Sequence, residues 1–269
     1  MRSITIQPGP PGPLRSRLAA ALVVGATAAA MTVAVAVGAP PAASAAEAPV
    51  GLGTAAAFGV LGGQTVTNTG PSIITGDLGV SPGAAITGFP PGLVIGTTHT
   101  ADAVALQAQS DLTTAYNDAA GRTPATSVSS DLGGQTLVGG VYHSASALGL
   151  TGTLTLDAQG DPNAVFIFQA GSTLTTAPNS TVQLINGASP CNVFWQVGSS
   201  ATLGTNTTFV GNVLALTSAT VQTGTSVSGR VLARNGAVTL DTNMITQPMC
   251  TTGGGGGTGG GPGGGGPGG

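Results

Sequence analysis

The sequence predicts a mainly β protein, a parallel β-solenoid with one long α-helix packed along its axis. Three observations lead to this fold class: threonines that recur down the second half of the chain, near-continuous apolar runs, and one alanine-rich amphipathic segment. A repeat of about 20 residues is typical of a solenoid, in which each coil buries its apolar side against the next coil.

The threonine repeat is the clearest of these signals. Its segments begin with a threonine followed by an aliphatic residue, and a second threonine stands three positions after the first: Thr173–Thr176, Thr202–Thr205, Thr220–Thr223 and Thr239–Thr242. Thr153 precedes the first of these segments at a spacing close to the same repeat. Stacked coils place equivalent residues about 4.8 Å apart, so these threonines are predicted to form a regular array.

The first half of the domain contains strands and then a helix. Residues 50 to about 97 alternate short apolar runs with Gly, Pro, Ser and Asn, which indicates strands separated by turns. Residues 98–119 carry apolar side chains every three to four positions, among them Val104, Ala108, Leu112 and Ala115, which indicates a helix. A helix of that length spans about 33 Å, close to the height of six or seven stacked coils.

Two apolar runs in the second half predict buried strands. Residues 163–169 and 191–197 are nearly continuous in hydrophobic side chains, as expected of parallel strands that are covered on both sides. One face of the solenoid is therefore predicted to lie beneath the helix, while the threonine face stays open.

The two ends of the chain differ from the domain between them. Arg2, Arg15 and Arg17 precede an apolar run over 18–37 and small residues over 38–46, which predicts a secretory signal cut after Ala45 or Ala46. The alternative is a membrane anchor, because the run approaches spanning length. Residues 47–252 are the predicted solenoid domain, and the glycine-rich residues 253–269 are a predicted flexible tail.

Charge and cysteine content restrict the partners and the compartment. The chain has no lysine and no cluster of arginines, which argues against nucleic acid and, once the signal is removed, against a membrane surface. Cys191 and Cys250 in an exported chain predict one disulfide, with two buried free thiols as the alternative. Such a bridge would close a loop of about 60 residues and contribute roughly 3–4 kcal/mol.

No residue constellation for catalysis or metal binding is found in the sequence. The acidic residues are isolated from one another, and those on the predicted helix suit solvated or capping roles. His99 and His143 have no carboxylate or cysteine at ligand spacing. Arg230 and Arg234 lie four residues apart and are expected to pair with a neighbouring acid, such as Asp241, and not to bind an anion. The sequence therefore predicts no catalytic residue, no metal site and no cofactor.

Several motifs resemble those of a known family. They are Thr75–Gly83, Gly140–Tyr142, Leu154–Ala158, Ala164–Gln169, Asn192–Val197 and Gly229–Asp241. Over residues 50–248 the chain resembles the microbial ice-binding-like proteins, which are right-handed β-solenoids with one long flanking helix. The resemblance implies an ice-contacting face that carries Thr-(Ala or Gly)-x-(Thr or Asn) motifs, one on each coil.

Mapped onto this sequence, the motif gives two sets of candidate residues. The ice-contacting set is Thr176, Asn179, Thr205, Thr208, Thr223, Ser226 and Thr242. The secondary ladder is Thr153, Thr173, Thr202, Thr220 and Thr239.

The expected function is that of a secreted, monomeric ice-binding protein that inhibits ice growth or recrystallisation. A threonine has a stiff χ1, a methyl group that can be buried and a hydroxyl that can join a water lattice. The alternative is a non-catalytic adhesive or carbohydrate-binding surface module of the same fold. Sugar binding favours exposed aromatic residues, and the few aromatics here lie in runs assigned to the core, which favours ice.

Overall fold

In the computed structural model, which describes residues 47–250, the chain winds into stacked coils with one flanking α-helix. The predicted fold class, a mainly β parallel solenoid with one helix, is confirmed. The predicted secretory signal (1–46) and the glycine-rich tail (253–269) lie outside the described residues.

Short parallel strands make up each coil. They are β1 (Phe58–Gly62), β2 (Thr65–Thr69), β3 (Ile73–Thr75), β4 (Asp77–Val80), β5 (Ala85–Thr87), β6 (Leu93–Ile95), β7 (Thr98–Thr100), β8 (Thr126–Ser127), β9 (Thr136–Val138), β10 (Gly140–Ser144), β11 (Leu148–Leu150), β12 (Thr153–Asp157), β13 (Phe166–Ala170), β14 (Leu174–Thr176), β15 (Thr181–Ile185), β16 (Val193–Val197), β17 (Ala201–Leu203), β18 (Thr208–Ala215), β19 (Ala219–Val221), β20 (Ser226–Ala233), β21 (Val238–Asp241) and β22 (Met244–Thr246). The helix α1 is Ala103–Gly121, and 3-10 turns lie at Gly53–Ala57 and Pro190–Asn192.

The strands form three faces. Face A contains β1, β4, β7, β8, β10, β13 and β16 with the second halves of β18 and β20. Face B is a seven-stranded sheet in the order β11-β14-β17-β19-β21-β2-β5. Face C contains β3, β6, β9, β12, β15 and β22 with the first halves of β18 and β20. Gly211, with a φ of 114°, lies where β18 turns the corner from face C to face A, a conformation that favours glycine.

The coils are stacked in a different order in space from their order in the chain. The last coil pairs with the first, through Val231 with Val60 on face A and Val238 with Val66 on face B. The coil of β5, β6 and β7 therefore forms one end of the solenoid, and the coil of β8 and β9 forms the other. Helix α1 connects these two ends, which explains why its length matches the height of the stack.

Helix α1 begins later than the sequence predicts. Thr98–Thr100 pairs with β4 as a strand, so the helix starts at Ala103 and not at residue 98. Asp102 caps it by accepting a hydrogen bond from the backbone N–H of Ala105 at 2.8 Å. This bond, together with the bond to His99, lowers the pKa of Asp102.

One stripe of the helix is buried against face A. Gln109 donates from Nε2 to the carbonyl oxygens of Gly62 and Ala233, at 2.9 and 3.1 Å. Gln169 on β13 donates to the carbonyl oxygen of Ala119 at 2.8 Å. The stripe consists of Ala105, Ala108, Gln109, Leu112, Ala115, Tyr116 and Ala119. Small side chains let the helix approach the sheet closely, and the glutamines bind carbonyls at either end of the contact.

Aromatic side chains stack along the interior of the solenoid. The ring centroids of Tyr142 and Phe168 lie 5.4 Å apart, those of Phe168 and Trp195 lie 4.1 Å apart, and those of Trp195 and Phe209 lie 5.1 Å apart. Tyr142, Phe168 and Trp195 pair in register on successive strands of face A and form a stack, whereas Phe209 contacts Trp195 from face C with its ring tilted by 44°. These contacts add to the burial of apolar area.

Arg230 does not pair with Asp241, so that prediction is wrong. Arg230 is 2% exposed, and its Nε and Nη2 donate to the carbonyl oxygen of Ala56 at 3.0 and 2.8 Å. Its Nη1 donates to Oδ1 of Asn212 at 2.8 Å. Burial lowers the pKa of Arg230 to about 10. The guanidinium thus joins the last coil to the segment that precedes β1.

His99 does have carboxylate neighbours, contrary to the expectation from sequence spacing. Its Nδ1 lies 2.8 Å from Oδ2 of Asp102, and its Nε2 lies 3.8 Å from Oδ2 of Asp77. Asp102 stands three residues after His99 in the chain, whereas Asp77 on β4 comes beside it only through the stacking of the coils. His99 joins the terminal coil to the start of α1.

Hydroxyl groups fill the interior at the corner between faces B and C. The Oγ1 of Thr176, which is 3% exposed, accepts from the backbone N–H of Gly204 at 2.8 Å and lies 3.0 Å from Oγ1 of Thr207. Thr225 on the next coil donates from Oγ1 to the carbonyl oxygen of Gly204 at 2.6 Å. These side chains satisfy backbone groups that the turn leaves without ladder partners.

Thr176→Val should lower the free energy of unfolding by about 1–2 kcal/mol, because the N–H of Gly204 loses its buried acceptor. Thr175→Val is the matched control, because the side chain of Thr175 is exposed on face B. We expect this substitution to change the free energy of unfolding by no more than about 0.5 kcal/mol. Urea unfolding followed by circular dichroism measures both. Equal effects of the two substitutions would contradict a structural role for the Thr176 hydroxyl.

The predicted disulfide is confirmed. Cys191 lies in the 3-10 turn before β16, and Cys250 follows the last strand at a sequence separation of 59. Between β22 and this bridge, Gln247 donates from its backbone N–H to the carbonyl oxygen of Thr75 at 3.0 Å. The C-terminal segment is thereby held along the corner between faces C and A, opposite face B.

Replacing both cysteines with alanine should lower the free energy of unfolding by roughly 3–4 kcal/mol, because the unfolded chain regains the freedom of a long loop. Denaturant unfolding with and without reductant measures this. Reduced wild type should match the variant, and the variant should not respond to reductant. A variant as stable as the oxidised wild type would show that the bridge does not restrict the unfolded chain.

Candidate functional site

One outward position of face B is occupied by threonine on six successive coils. The central residues of β14, β17, β19 and β21 pair in register, and the alignment continues through β2 to β5. The resulting threonine file is Thr175, Thr202, Thr220, Thr239, Thr67 and Thr87. Adjacent members are separated by the strand spacing of about 4.8 Å, so the file is straight and regular.

The threonine file corrects part of the predicted ladder. Thr202, Thr220 and Thr239 are in register, as predicted. Thr173 is not the residue aligned with them, because Thr175 pairs with Thr202. Thr153 lies on face C, where it pairs with Thr181. Coil lengths vary at their turns, so equal spacing of threonines along the chain does not guarantee that they align in space.

The predicted motif residues occupy several environments. Thr176 is buried at the corner, so it is not available to an external surface. Thr208 and Ser226 pair with each other on face C. Asn179 and Thr242 occupy turns with positive φ values of 60° and 52°. The predicted ice-contacting set is therefore distributed over more than one face and does not form a single surface.

The first motif is also out of register with the second. Because Thr175 pairs with Thr202, Thr176 aligns with Leu203 and not with Thr205. The first match to the motif therefore starts at a different position around the coil from the next one, whereas the matches at Thr205 and Thr223 stay in register. The aligned residues of face B precede these motifs, Thr175 by one residue and Thr202, Thr220 and Thr239 by three.

Hydroxyls at the edge of face B already have protein partners. Thr205 donates to Oε1 of Gln222 at 3.4 Å, and Thr223 donates to a carboxylate oxygen of Asp241. Thr242 donates to the other oxygen of that carboxylate at 3.0 Å. By contrast, within residues 47–250 no side-chain hydrogen bond involves a hydroxyl of the threonine file. The file hydroxyls are free to bond to something outside the protein.

Face B is also uniform in charge and size. On one side of the threonine file the neighbouring positions carry small side chains, including Thr65, Ser200, Ser218 and Ala237, whereas Gln222 and Asp241 stand on the other side, at the edge of the face. Within the seven strands of face B, Asp241 is the one charged residue, and it lies at the edge. A flat surface of small neutral groups follows from this arrangement.

Face C lacks this uniformity. Its first outward column passes from Thr153, Thr181 and Thr208 to apolar side chains at Met244 and Leu93. Its second outward column includes glutamine, valine and isoleucine among the hydroxyls. Face A is covered by α1, so among the faces that the structure describes face B is the open one with an uninterrupted array.

Other kinds of site have little support in the part of the chain that the structure describes. A groove of about 740 Å³ lies near the end of the solenoid at β9, lined by residues that include Glu47, Gln159 and Asp161. The Oε2 of Glu47 lies 3.1 Å from Nη1 of Arg122, so this carboxylate already has a partner in the protein. Among residues 47–250 no group of three histidine, cysteine or acidic side chains could hold a metal ion, and no helix there is long and apolar enough to cross a membrane.

Sequence reasoning missed three members of the threonine file. Thr67 and Thr87 precede α1 in the chain, and they join the file only because the first coils stack on the last. Thr175 lies within the segment Thr173–Thr176, but the sequence analysis places Thr173 in the ladder instead. The pattern Thr-Val-Thr at 65–67 was the available signal, but nothing in the sequence places it beside Thr239.

Comparison with known proteins agrees with this architecture. A family model described as ice-binding-like matches residues 60–246. An ice-binding protein from Nostoc sp. (strain HG1) is 56% identical over 202 residues, which cover 74% of this chain and 75% of that protein. The crystal structure of an ice-binding protein from an Antarctic biological consortium superposes with a TM-score of 0.75 at 50% identity, covering 77% of this chain and 95% of that one.

A second solved structure supports the same assignment. The ice-binding protein of the Antarctic ascomycete Antarctomyces psychrotrophicus superposes with a TM-score of 0.73 at 45% identity, covering 75% of this chain and all 100% of that one. Sequence and structure thus agree over nearly the whole of the solenoid. The chain belongs to the ice-binding-like family.

Proposed function

We propose that this protein adsorbs to ice through the threonine file of face B and thereby inhibits ice growth and recrystallisation. The observation that carries the proposal is the register of six outward threonines whose hydroxyls have no partner among the described residues. Family membership supports the same function.

The physical basis is a match between two rigid arrays. Ice presents water molecules at fixed spacings, so a binder must hold its groups at fixed spacings before contact. A threonine on a strand has a stiff χ1, and the backbone ladder fixes the distance between neighbours. Little side-chain entropy is left to lose on binding, which reduces the cost of association.

A comparison of the burial energy of the threonine methyl groups with the cost of association predicts moderate ice-binding activity. Six methyl groups at about 0.8 kcal/mol each contribute about 5 kcal/mol, whereas association costs roughly 4–15 kcal/mol. The methyl groups alone therefore offset only the low end of that cost. Hydrogen bonds from the free hydroxyls to lattice water must supply the remainder, which explains why hydroxyls without protein partners matter at this surface.

The finer features of the proposal are that the protein is secreted, non-catalytic and active as a single chain. One chain contains the whole threonine file, so adsorption needs no second copy. The rival function is adhesion or carbohydrate binding on the same fold. It is less favoured because Trp195, Tyr116 and Tyr142 are 1%, 8% and 7% exposed, and aromatic rings that could stack on a sugar are thus buried.

Thr202→Tyr with Thr220→Tyr should abolish or strongly reduce ice recrystallisation inhibition, because two bulky rings on adjacent coils prevent face B from meeting a flat surface. Thr181→Tyr with Thr208→Tyr is the matched control, since these residues pair on adjacent coils of face C. We expect the control to keep wild-type inhibition. Recrystallisation and thermal hysteresis assays on variants with native circular dichroism measure the difference.

Two results would contradict the proposal. If the face B variant inhibited recrystallisation as well as wild type does, face B would not be the surface that contacts ice. Absence of any inhibition by wild type, together with binding to a polysaccharide or cell surface, would favour the adhesive module.

A further inference from the structure

The coil at one end of the solenoid presents an unpaired strand. Strand β6 (Leu93–Ile95) is the last strand of face C, and within residues 47–250 no other strand pairs with its outer edge. Gly92 and Gly96 stand on either side of it. Solenoids need a polar or covered end, because an open edge is a template for pairing with another strand.

The backbone groups of this edge can be assigned by alternation. The N–H of Leu93 donates to the carbonyl oxygen of Ser72 at 2.8 Å, and the carbonyl oxygen of Ile95 accepts from Gly76 at 3.0 Å. Leu93 and Ile95 therefore direct their backbone groups towards β3. Since successive residues of a strand point their groups in opposite directions, the N–H and C=O of Val94 both face outward.

The side chains of this edge are apolar and exposed. Leu93 and Ile95 are 54% and 56% exposed, and Val94 is only half-buried because no coil covers it. Leu93 continues an apolar stripe through Ile73 to Met244, which is 55% exposed. The devices that usually prevent edge pairing, a charge or a proline within the strand, are missing from β6.

We infer that β6 pairs antiparallel with β6 of a second copy of this chain, around a twofold axis at Val94. In this arrangement the N–H of each Val94 donates to the C=O of the other, which forms the closely spaced pair of an antiparallel ladder. Leu93 of each copy lies opposite Ile95 of the other, so their apolar side chains cover one another. Gly92 lies opposite Gly96, where no side chain obstructs the approach.

The edge selects a second copy because it is complementary to itself. The five residues Gly-Leu-Val-Ile-Gly read nearly the same in both directions, so about a twofold axis each side chain meets one of similar size and polarity. No Asp, Glu, Lys or Arg occurs from Leu78 to Ala101, and the acids that bound this segment, Asp77 and Asp102, lie beside His99, so the strand edge itself carries no charge. The contact is small, and we expect a dissociation constant on the order of 100 μM.

This association is separate from the proposed contact with ice. It uses the end of face C, and the threonine file on face B remains exposed in both copies. Self-association can therefore be measured in the absence of ice, and its outcome does not depend on whether face B binds ice.

The test uses sedimentation velocity of the purified protein from about 5 μM to about 500 μM, across the expected dissociation constant. Wild type should shift from monomer to dimer. Leu93→Lys with Ile95→Lys should stay monomeric, because each lysine faces a lysine of the other copy. Leu93→Lys with Ile95→Glu should dimerise again, because the introduced lysine of one copy lies opposite the introduced glutamate of the other only in the antiparallel twofold register.

Both double variants replace the same two exposed side chains, so they are matched in position. A native circular dichroism spectrum and a melting temperature equal to that of wild type show that each variant is folded. Wild type that remains monomeric throughout the range overturns the inference. So does dimerisation of the double-lysine variant at the wild-type level. A lysine–glutamate variant as monomeric as the double-lysine variant overturns the antiparallel pairing at Val94.

Discussion

Parallel hydrogen bonding between successive coils controls the geometry of every surface of this protein. It holds equivalent residues of adjacent coils about 4.8 Å apart, and every column of side chains inherits that spacing. The same ladder aligns the stacked rings of Phe168 and Trp195 in the interior and the threonine file on face B. A shift of one residue would move each column to the opposite side of its sheet.

The stack is completed by contacts between residues far apart in the chain. The last coil pairs with the first, Arg230 binds the carbonyl oxygen of Ala56, and the disulfide holds the C-terminal segment along the corner. Helix α1 joins the two ends and covers face A. Such a structure relies on long-range contacts, which folding must form at the cost of closing long loops. The helix and the disulfide therefore stabilise the solenoid on the side away from face B, and face B itself stays uncovered.

Threonine has three roles in this protein, and its surroundings decide which. On face B its hydroxyl is free of partners among the described residues, and its methyl group faces outward. At the edge of that face the hydroxyls of Thr205 and Thr223 bond to neighbouring side chains. At the interior corner Thr176 and Thr225 satisfy backbone groups of the turns. Only some of the threonines in the sequence therefore present a free hydroxyl on the surface that is available to ice.

Local periodicity and composition were enough to predict the fold class, the axial helix, the disulfide and the alignment of Thr202, Thr220 and Thr239, because these signals do not depend on how distant coils pair. They could not predict that Thr175 and not Thr173 belongs to the file, or that Thr176 is buried. They also could not predict that Thr67 and Thr87 complete the surface. Turns differ in length from coil to coil and the first coils stack on the last, so hydrogen bonds between distant strands, which exist only in the folded chain, set the register.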